Sequence, residues 1–136
     1  MHPEVVTNPT KQQIADVHRG LRDYNSRFVS DEFIPVRAVV TDDSDHVIAG
    51  IDGIAYWEKL HVSILWVQTD HRGNGLGRRL MAWAEENARE MGCRSVVVDT
   101  LSFQAPGFYI KLGYTQFGET RNYERGYKRL YFEKGI

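Results

Sequence analysis

Cys93 is the chain's only cysteine, so no intrachain disulfide and no cysteine-based metal cluster can form. A reducing compartment is the expected setting, and the chain reads as cytoplasmic. Lying between Gly92 and an apolar run, Cys93 reads as a small core residue rather than a nucleophile. Excess charge is lacking as well. The formal net charge is −1, which advertises neither a nucleic-acid nor a membrane surface. Apolar runs are no longer than strands, and Met1-His2-Pro3-Glu4 carries none of the hydrophobicity of a signal peptide. His18 has no second ligand at a convincing spacing, and no metal is expected.

What the chain has is ordinary globular composition, with 42% hydrophobic and 26% charged residues in 136 positions. That suits one domain over residues 1–136 with a real core. The most informative stretch is Val67 to Glu85, VQTDHRGNGLGRRLMAWAE. Before it, His61 to Val67 is rich in β-branched and aromatic residues and reads as a strand. After it, Leu76, Leu80, Trp83, Ala84, Ala88 and Met91 recur at helical spacing, and Gly92 can end the helix in the left-handed conformation. The loop between, with Gly73, Gly75 and Gly77, therefore sits at a helix N-terminus. Amides there lack intrahelical partners and the helix dipole adds positive character. Glycines let the backbone close on an anion, and Arg72, Arg78 and Arg79 add cationic charge. The plain alternative is a glycine turn with a solvated basic flank.

The rest of the chain supplies the frame. Residues 3–8 read as a first strand, and Thr10 as the N-cap of a helix to about Arg27 whose Ile14, Val17, Leu21 and Tyr24 form one apolar stripe for packing on a sheet. Phe33 to Thr41 is a strand, and Asp42-Asp43-Ser44-Asp45 a hairpin turn rather than a calcium loop, since the EF-hand glycine and glutamate are missing. His46 to Trp57 returns, with Gly50 and Gly53 marking bulges or close approach. A turn at Glu58-Lys59 completes an antiparallel meander. Ser95 to Thr100 is expected to pair parallel with the 61–67 strand through a right-handed crossover. A short helix at about 104–112, ended by Gly113, leads to strands 114–119 and 126–133. The element order implies a mixed α/β fold.

Two familiar phosphate motifs fit the glycine loop poorly. A P-loop needs Lys followed by Ser or Thr after its last glycine, where Arg78-Arg79 stand here, and a dinucleotide fold wants GxGxxG near the first strand. Arg72-Gly73-Asn74-Gly75-Leu76-Gly77 instead resembles the acyl-CoA loop of the GCN5-related N-acetyltransferases: Arg or Gln, two residues, Gly, one residue, Gly or Ala. Ala105, Tyr109, Lys111, Leu112, Gly113 and Tyr114 likewise resemble that family's second signature, in the right order and with one helix and one strand between. The resemblance covers residues 46–118 well. It implies a central mixed sheet with a splayed parallel pair, and transfer of the acetyl group of acetyl-CoA to a primary amine in a ternary complex.

Direct transfer needs a neutral amine, a polarised carbonyl and a proton for the departing thiolate. By resemblance, Tyr109 protonates the sulfur, as a phenol of pKa about 10 can at neutral pH. The backbone of Leu65, Trp66 and Val67 would hold the pantetheine arm and the thioester oxygen, and Arg72 to Arg78 the pyrophosphate. Ser102 stands where the family usually has a cofactor-contacting Asn, and its shorter reach leaves that contact open. For the base, His61 occupies the first of two histidine positions of the arylalkylamine acetyltransferases; Ser63 holds the second. His61, Ser63 and Leu65 are expected on one face of the strand. Asp99, a carboxylate in an apolar strand, is the other candidate, as base or orienting group. In that family the acceptor lies between the first helix region, the Val29 to Phe33 segment and the 119–126 loop, so the resemblance implies a small-molecule or peptide amine there, where Asp31, Glu32, Glu119 and Glu124 would attract a cation. A non-catalytic CoA-binding module is the alternative on the same fold, and a purely structural domain a third. An exposed edge strand is the one hint of a homodimer.

Overall fold

The computed structural model describes residues 2–136. The chain divides into two compact units, one ending at Glu32 and the other running Phe33–Ile136. In the first, helix α1 spans Lys11–Asn25. Its start is set by a reciprocal capping box: the Thr10 hydroxyl accepts from the Gln13 amide at 3.1 Å, and the Gln13 side chain accepts from the Thr10 amide at 2.8 Å. The strand expected at residues 3–8 is absent, and that segment is irregular. Val5 and Val6 are both exposed; two apolar residues between Pro3 and Pro9 give too little to bury for a strand to form.

The second unit is a six-stranded mixed sheet with two helices. Its strands are β1 (Ile34–Thr41), β2 (Val47–Tyr56), β3 (Lys59–Val67), β4 (Ser95–Leu101), β5 (Thr115–Thr120) and β6 (Arg129–Gly135), and its helices α2 (Leu76–Glu90) and α3 (Pro106–Lys111). The spatial order is β1-β2-β3-β4-β6-β5. The expected antiparallel meander is formed by β1, β2 and β3, and β3 pairs parallel with β4. The Asp42 carboxylate accepts from the amides of Ser44 and His46, both at 2.9 Å, which closes the β1–β2 turn as a hairpin. Trp57 and Glu58, both at positive φ, make the two-residue turn from β2 to β3.

One face of the sheet carries the core. Leu60 and Val62 of β3, Val96 and Val98 of β4 and Phe132 of β6 pack with Leu80, Met81, Ala84 and Ala88 of α2. The buried stripe of α2 differs from the expected one: Met81 and Glu85 are inside, whereas Trp83 and Met91 are exposed. Glu85 is tolerated because its carboxylate accepts from the Tyr114 phenol and the Lys134 ammonium, each at 2.9 Å. Cys93 packs at the margin of this core. Burial, followed by the Glu58 charge, pushes its thiol pKa up, which fits an inert packing role.

Candidate active site

The parallel pair at the centre of the sheet parts partway along. Lys59, Leu60, His61 and Val62 pair with Ser95, Val96, Val97 and Val98, and the ladder stops there. Beyond it, Ile64 to Val67 stay paired with β2, while Asp99 to Leu101 pair with β6. The two strands thus diverge from Ser63 and Asp99 onward, leaving a cleft with backbone on both sides.

Ser63 is the reason the strand turns its faces over. Asp52 lies opposite Ile64 and Gly53 opposite Val62, so Ser63 is the extra residue of a β-bulge. Gly53 accommodates it, since a Cβ there would come within 2.8 Å of the His61 carbonyl oxygen. The consequence corrects the expected alternation of His61, Ser63 and Leu65. Leu65 and Val67 pack against the core with Leu60 and Val62, whereas Ile64 and Trp66 are exposed.

At the end of β3 the chain passes a short 3-10 turn, Thr69–His71, and enters the glycine loop. Arg72 donates from Nε to the Val67 carbonyl at 2.9 Å, which ties the loop back to the strand it leaves. Gly73 and Gly75 both have φ +82°, and a Cβ on either would meet nothing within 4 Å. Glycine is required there for the left-handed backbone, not for want of space. Gly75 is the N-cap of α2 and offers no side-chain cap. The first bond of the helix runs from the Arg79 amide to the Gly75 carbonyl at 3.0 Å. The amides of Leu76, Gly77 and Arg78 precede that ladder, and with exposed Asn74 and Arg78 beside them they form a donor set suited to a phosphate. Gly77 serves a different purpose. Its Cβ would stand 3.2 Å from the Phe108 ring, so the start of α2 is glycine because α3 packs on it.

Phe108 precedes Tyr109, which is buried and contacts the rings of Phe108, Tyr114 and Phe132 at 5.1, 5.8 and 5.9 Å between centroids. Burial, with the Asp99 charge adding, pushes the Tyr109 pKa up to about 12. The phenol is therefore a proton donor throughout the neutral range. Asp99 belongs to the opposite face of β4 from buried Val98 and Thr100, and it occupies the first position past the parallel ladder. Tyr109 and Asp99 thus stand on opposite faces at the point where the strands part.

His61 lies on the same face as Asp99 but lower, opposite Val97. Its ring stacks on Tyr56 at 4.3 Å and 13°. Burial, and then the Lys59 charge, lowers its pKa below 6.5, opposed by Glu133. Glu133 accepts from Lys59 and from Ser95 Oγ, the latter at 2.8 Å. His61 and Asp99 are two residues apart in register, about 7 Å along the strands. Ser102 is drawn into the sheet: its amide donates to the Lys128 carbonyl at 2.8 Å, and its Oγ accepts from the Lys128 amide at 3.0 Å.

Some residues of the site carry no motif signal. Gln104 caps the end of β4 by accepting from the Leu101 amide at 2.7 Å. Arg129 lies 4.0 Å from Asp99. Glu119, expected to attract a cationic acceptor, is bound to Arg121 at 2.7 Å and lies 3.8 Å from Lys128. Glu85, buried in α2, leaves a trace in the sequence too, as a carboxylate one turn from Met81 on the apolar side of a helix.

Residues 35–116 match the family pattern described as the Acetyltransferase (GNAT) domain. The Blasticidin-S acetyltransferase of Streptomyces morookaense is 47% identical over 78 residues, and that match takes in 57% of each chain. An acetyltransferase of Agrobacterium fabrum is 30% identical over 125 residues, 88% of this chain and 91% of that one. The crystal structure of an acetyltransferase from Bacillus cereus superposes with a TM-score of 0.89 at 31% identity, covering 98% of both chains. Among the described residues no helix is long and apolar enough to cross a membrane. With the family pattern spanning more than half of its length, the chain belongs to the GNAT acetyltransferases and so to the acyl-CoA N-acyltransferases.

Proposed function

We propose that this protein transfers the acetyl group of acetyl-CoA to a primary amine of a small molecule, by direct attack in a ternary complex. The observation that carries this reading is the parting of β3 and β4 after Val62 and Val98, with Tyr109 on one face and Asp99 on the other. Acetyl-CoA, when bound, supplies the acetyl group as a thioester. The amides at the start of α2, with Gly73, Asn74 and Gly75, hold its pyrophosphate, and Arg72 and Arg78 balance the charge. Backbone groups of Leu65, Trp66 and Val67 that face the cleft bind the pantetheine arm and polarise the carbonyl. The Ser102 hydroxyl, though it accepts from Lys128, keeps one O–H to donate.

Tyr109 gives its proton to the departing sulfur. On the other face, Asp99 orients the incoming ammonium and, with His61, takes up the proton it must lose before attack; the second proton, lost as the amide forms, offsets the one Tyr109 gives to sulfur. His61 is suited to acceptance because its surroundings favour the neutral ring. The name of the 47% identical relative favours a small-molecule amine, with blasticidin S the first to try. We read residues 1–136 as one acetyltransferase domain and, with Cys93 as the sole thiol, as cytoplasmic.

The test is thiol release from acetyl-CoA in the presence of blasticidin S, nourseothricin, spermidine and phenethylamine, for the parent and for Tyr109→Phe. The expected result is turnover with at least one amine, reduced roughly 100-fold or more by the substitution, with acetyl-CoA binding retained. Undiminished turnover in Tyr109→Phe would contradict the acid role, and no acetylated amine would contradict the transfer itself.

A further inference from the structure

Arg129 occupies an unusual position among the described residues. Its Nε is buried without a hydrogen-bond partner, yet it lies 4.0 Å from the Asp99 carboxylate. That separation is an ion pair but too long for a hydrogen bond. On its other side, the guanidinium carbon stands 5.5 Å from the centre of the Tyr123 ring, within the range of a cation–π contact. Arg129 and Tyr131 share the β6 face that neighbours Asp99, since Asp99 pairs with Tyr131 and Leu101 with Arg129. The Thr120 hydroxyl lies 3.1 Å from the Tyr123 phenol oxygen and 3.4 Å from that of Tyr131. One side chain therefore touches both the carboxylate at the cleft and the turn that leads from β5 to β6.

That turn is held in a costly shape. Asn122 and Arg125 both have positive φ, at 66° and 60°, which non-glycine residues seldom adopt unless their surroundings impose it. Internal bonds from the Tyr123 amide to the Tyr127 carbonyl, 3.0 Å, and from the Gly126 amide to the Tyr123 carbonyl, 2.9 Å, close it on itself. It is anchored by the Tyr123 ring beside Arg129 with Thr120, by Arg121 on Glu119 of β5 at 2.7 Å, and by the Tyr127 ring against Phe103 at 4.8 Å; the first of these is the one that reaches the cleft carboxylate through Arg129.

We propose that Arg129 is a positioning residue that aims the Asp99 carboxylate at the cleft and braces the 121–127 turn beside it, so that both present one fixed surface to the amine. In this role the guanidinium acts through its two neighbours, the Asp99 carboxylate and the Tyr123 ring. A planar guanidinium with several donors can hold a carboxylate on its edge and a ring on its face at once, which an ammonium cannot. This role rests on Asp99 acting on the amine as described above.

The test uses Arg129→Met and Arg129→Lys, each alone and combined with Asp99→Asn. The first readout needs no acceptor: amide hydrogen exchange of Tyr123 and Gly126 should quicken about tenfold in Arg129→Met, while the amides of β4 keep their protection. Unchanged exchange in the turn would overturn the bracing role. The second readout is kcat and KM with the best amine of the panel above. Arg129→Met should lower kcat about tenfold or more, leave the acetyl-CoA KM unchanged, recover in part with lysine, and have little further effect once Asp99→Asn is present. Equal losses with and without the Asp99 carboxylate would show that Arg129 does not act through it. A silent Asp99→Asn beside an inactive Tyr109→Phe would instead remove Asp99 from the reaction, and the positioning role with it, while leaving the acetyltransferase reading intact.

Discussion

Gly77 and Phe108 meet: a Cβ built on Gly77 would stand 3.2 Å from Cζ and 3.4 Å from Cε1 of the phenylalanine. The glycine loop and the second signature are thus two sides of one packing contact, and Phe108 sets the ring of Tyr109 next to it. In an open helix, Gly→Ala stabilises by about 1 kcal/mol. Here Gly77→Ala should instead destabilise, by about 1–2 kcal/mol, because the Phe108 ring must move. Gly77→Ala combined with Phe108→Leu should regain that loss in urea denaturation. A stabilised single variant would show that the ring gives way freely.

Tyr109 should mark the alkaline limb of stability. Its pKa is raised by burial to about 12, against about 10 in the unfolded chain. The folded state therefore holds this proton more tightly. The resulting stabilisation is full below pH 10 and is lost as pH rises from about 10 to 12, at most roughly 3 kcal/mol. Denaturation against pH should show a shallower fall across that window in Tyr109→Phe. Identical profiles would mean the phenol is not held protonated.

His61 should act at the other end of the scale. Burial and Lys59 depress its folded pKa below 6.5, so the folded state binds this proton less readily than the unfolded chain. Its contribution is present above pH 6.5 and disappears as pH falls through the folded value. With His61 as proton acceptor, kcat/KM for the amine should be flat above 6.5 and drop below it, and His61→Gln should abolish that acid limb without weakening acetyl-CoA binding. A limb that survives the substitution would assign the base to another group.

Lys134 and Tyr114 hold Glu85 inside the core. Lys134→Met strands a carboxylate only 8% exposed, leaving Arg89 at 4.0 Å as the nearest remaining cation. A loss of about 3–5 kcal/mol is expected. Tyr114→Phe removes one neutral donor and should cost about 1–3 kcal/mol. Equal stability of Lys134→Met and the parent in chemical denaturation would contradict this ledger of the buried pair.

The legible parts of the fold were those with strong local pattern. The meander, the β3-α2-β4 crossover with its parallel pairing, and the glycine turn at α2 all follow from periodicity and turn residues between Phe33 and Leu112. The bulge at Ser63 did not announce itself, because an extra residue in a strand depends on its partner, and here the allowance is made by Gly53 across the ladder. That single residue moved Leu65 to the core face and left Ile64 and Trp66 outside. Trp83 and Met91 were misplaced because hydrophobic spacing alone does not tell which edge of a wide apolar face meets the sheet. Arg129 is invisible for a third reason: its partner Asp99 lies on a strand that neighbours β6 in the sheet but is distant in sequence, and Tyr123 lies in a turn. Val5 and Val6 look like a strand by propensity, but propensity without a partner does not make one.

Acetyl-CoA binding at the glycine loop is the claim on which the rest depends, and calorimetric titration of the parent beside Gly75→Glu addresses it directly. Gly75 has φ +82° and sits beside the free amides of α2, so a glutamate there both strains the backbone and repels a phosphate. Saturable binding with a Kd of about 1 μM, roughly −8 kcal/mol, lost in a variant that remains folded, is the predicted result. A folded parent that releases no heat and binds no acetyl-CoA would contradict it.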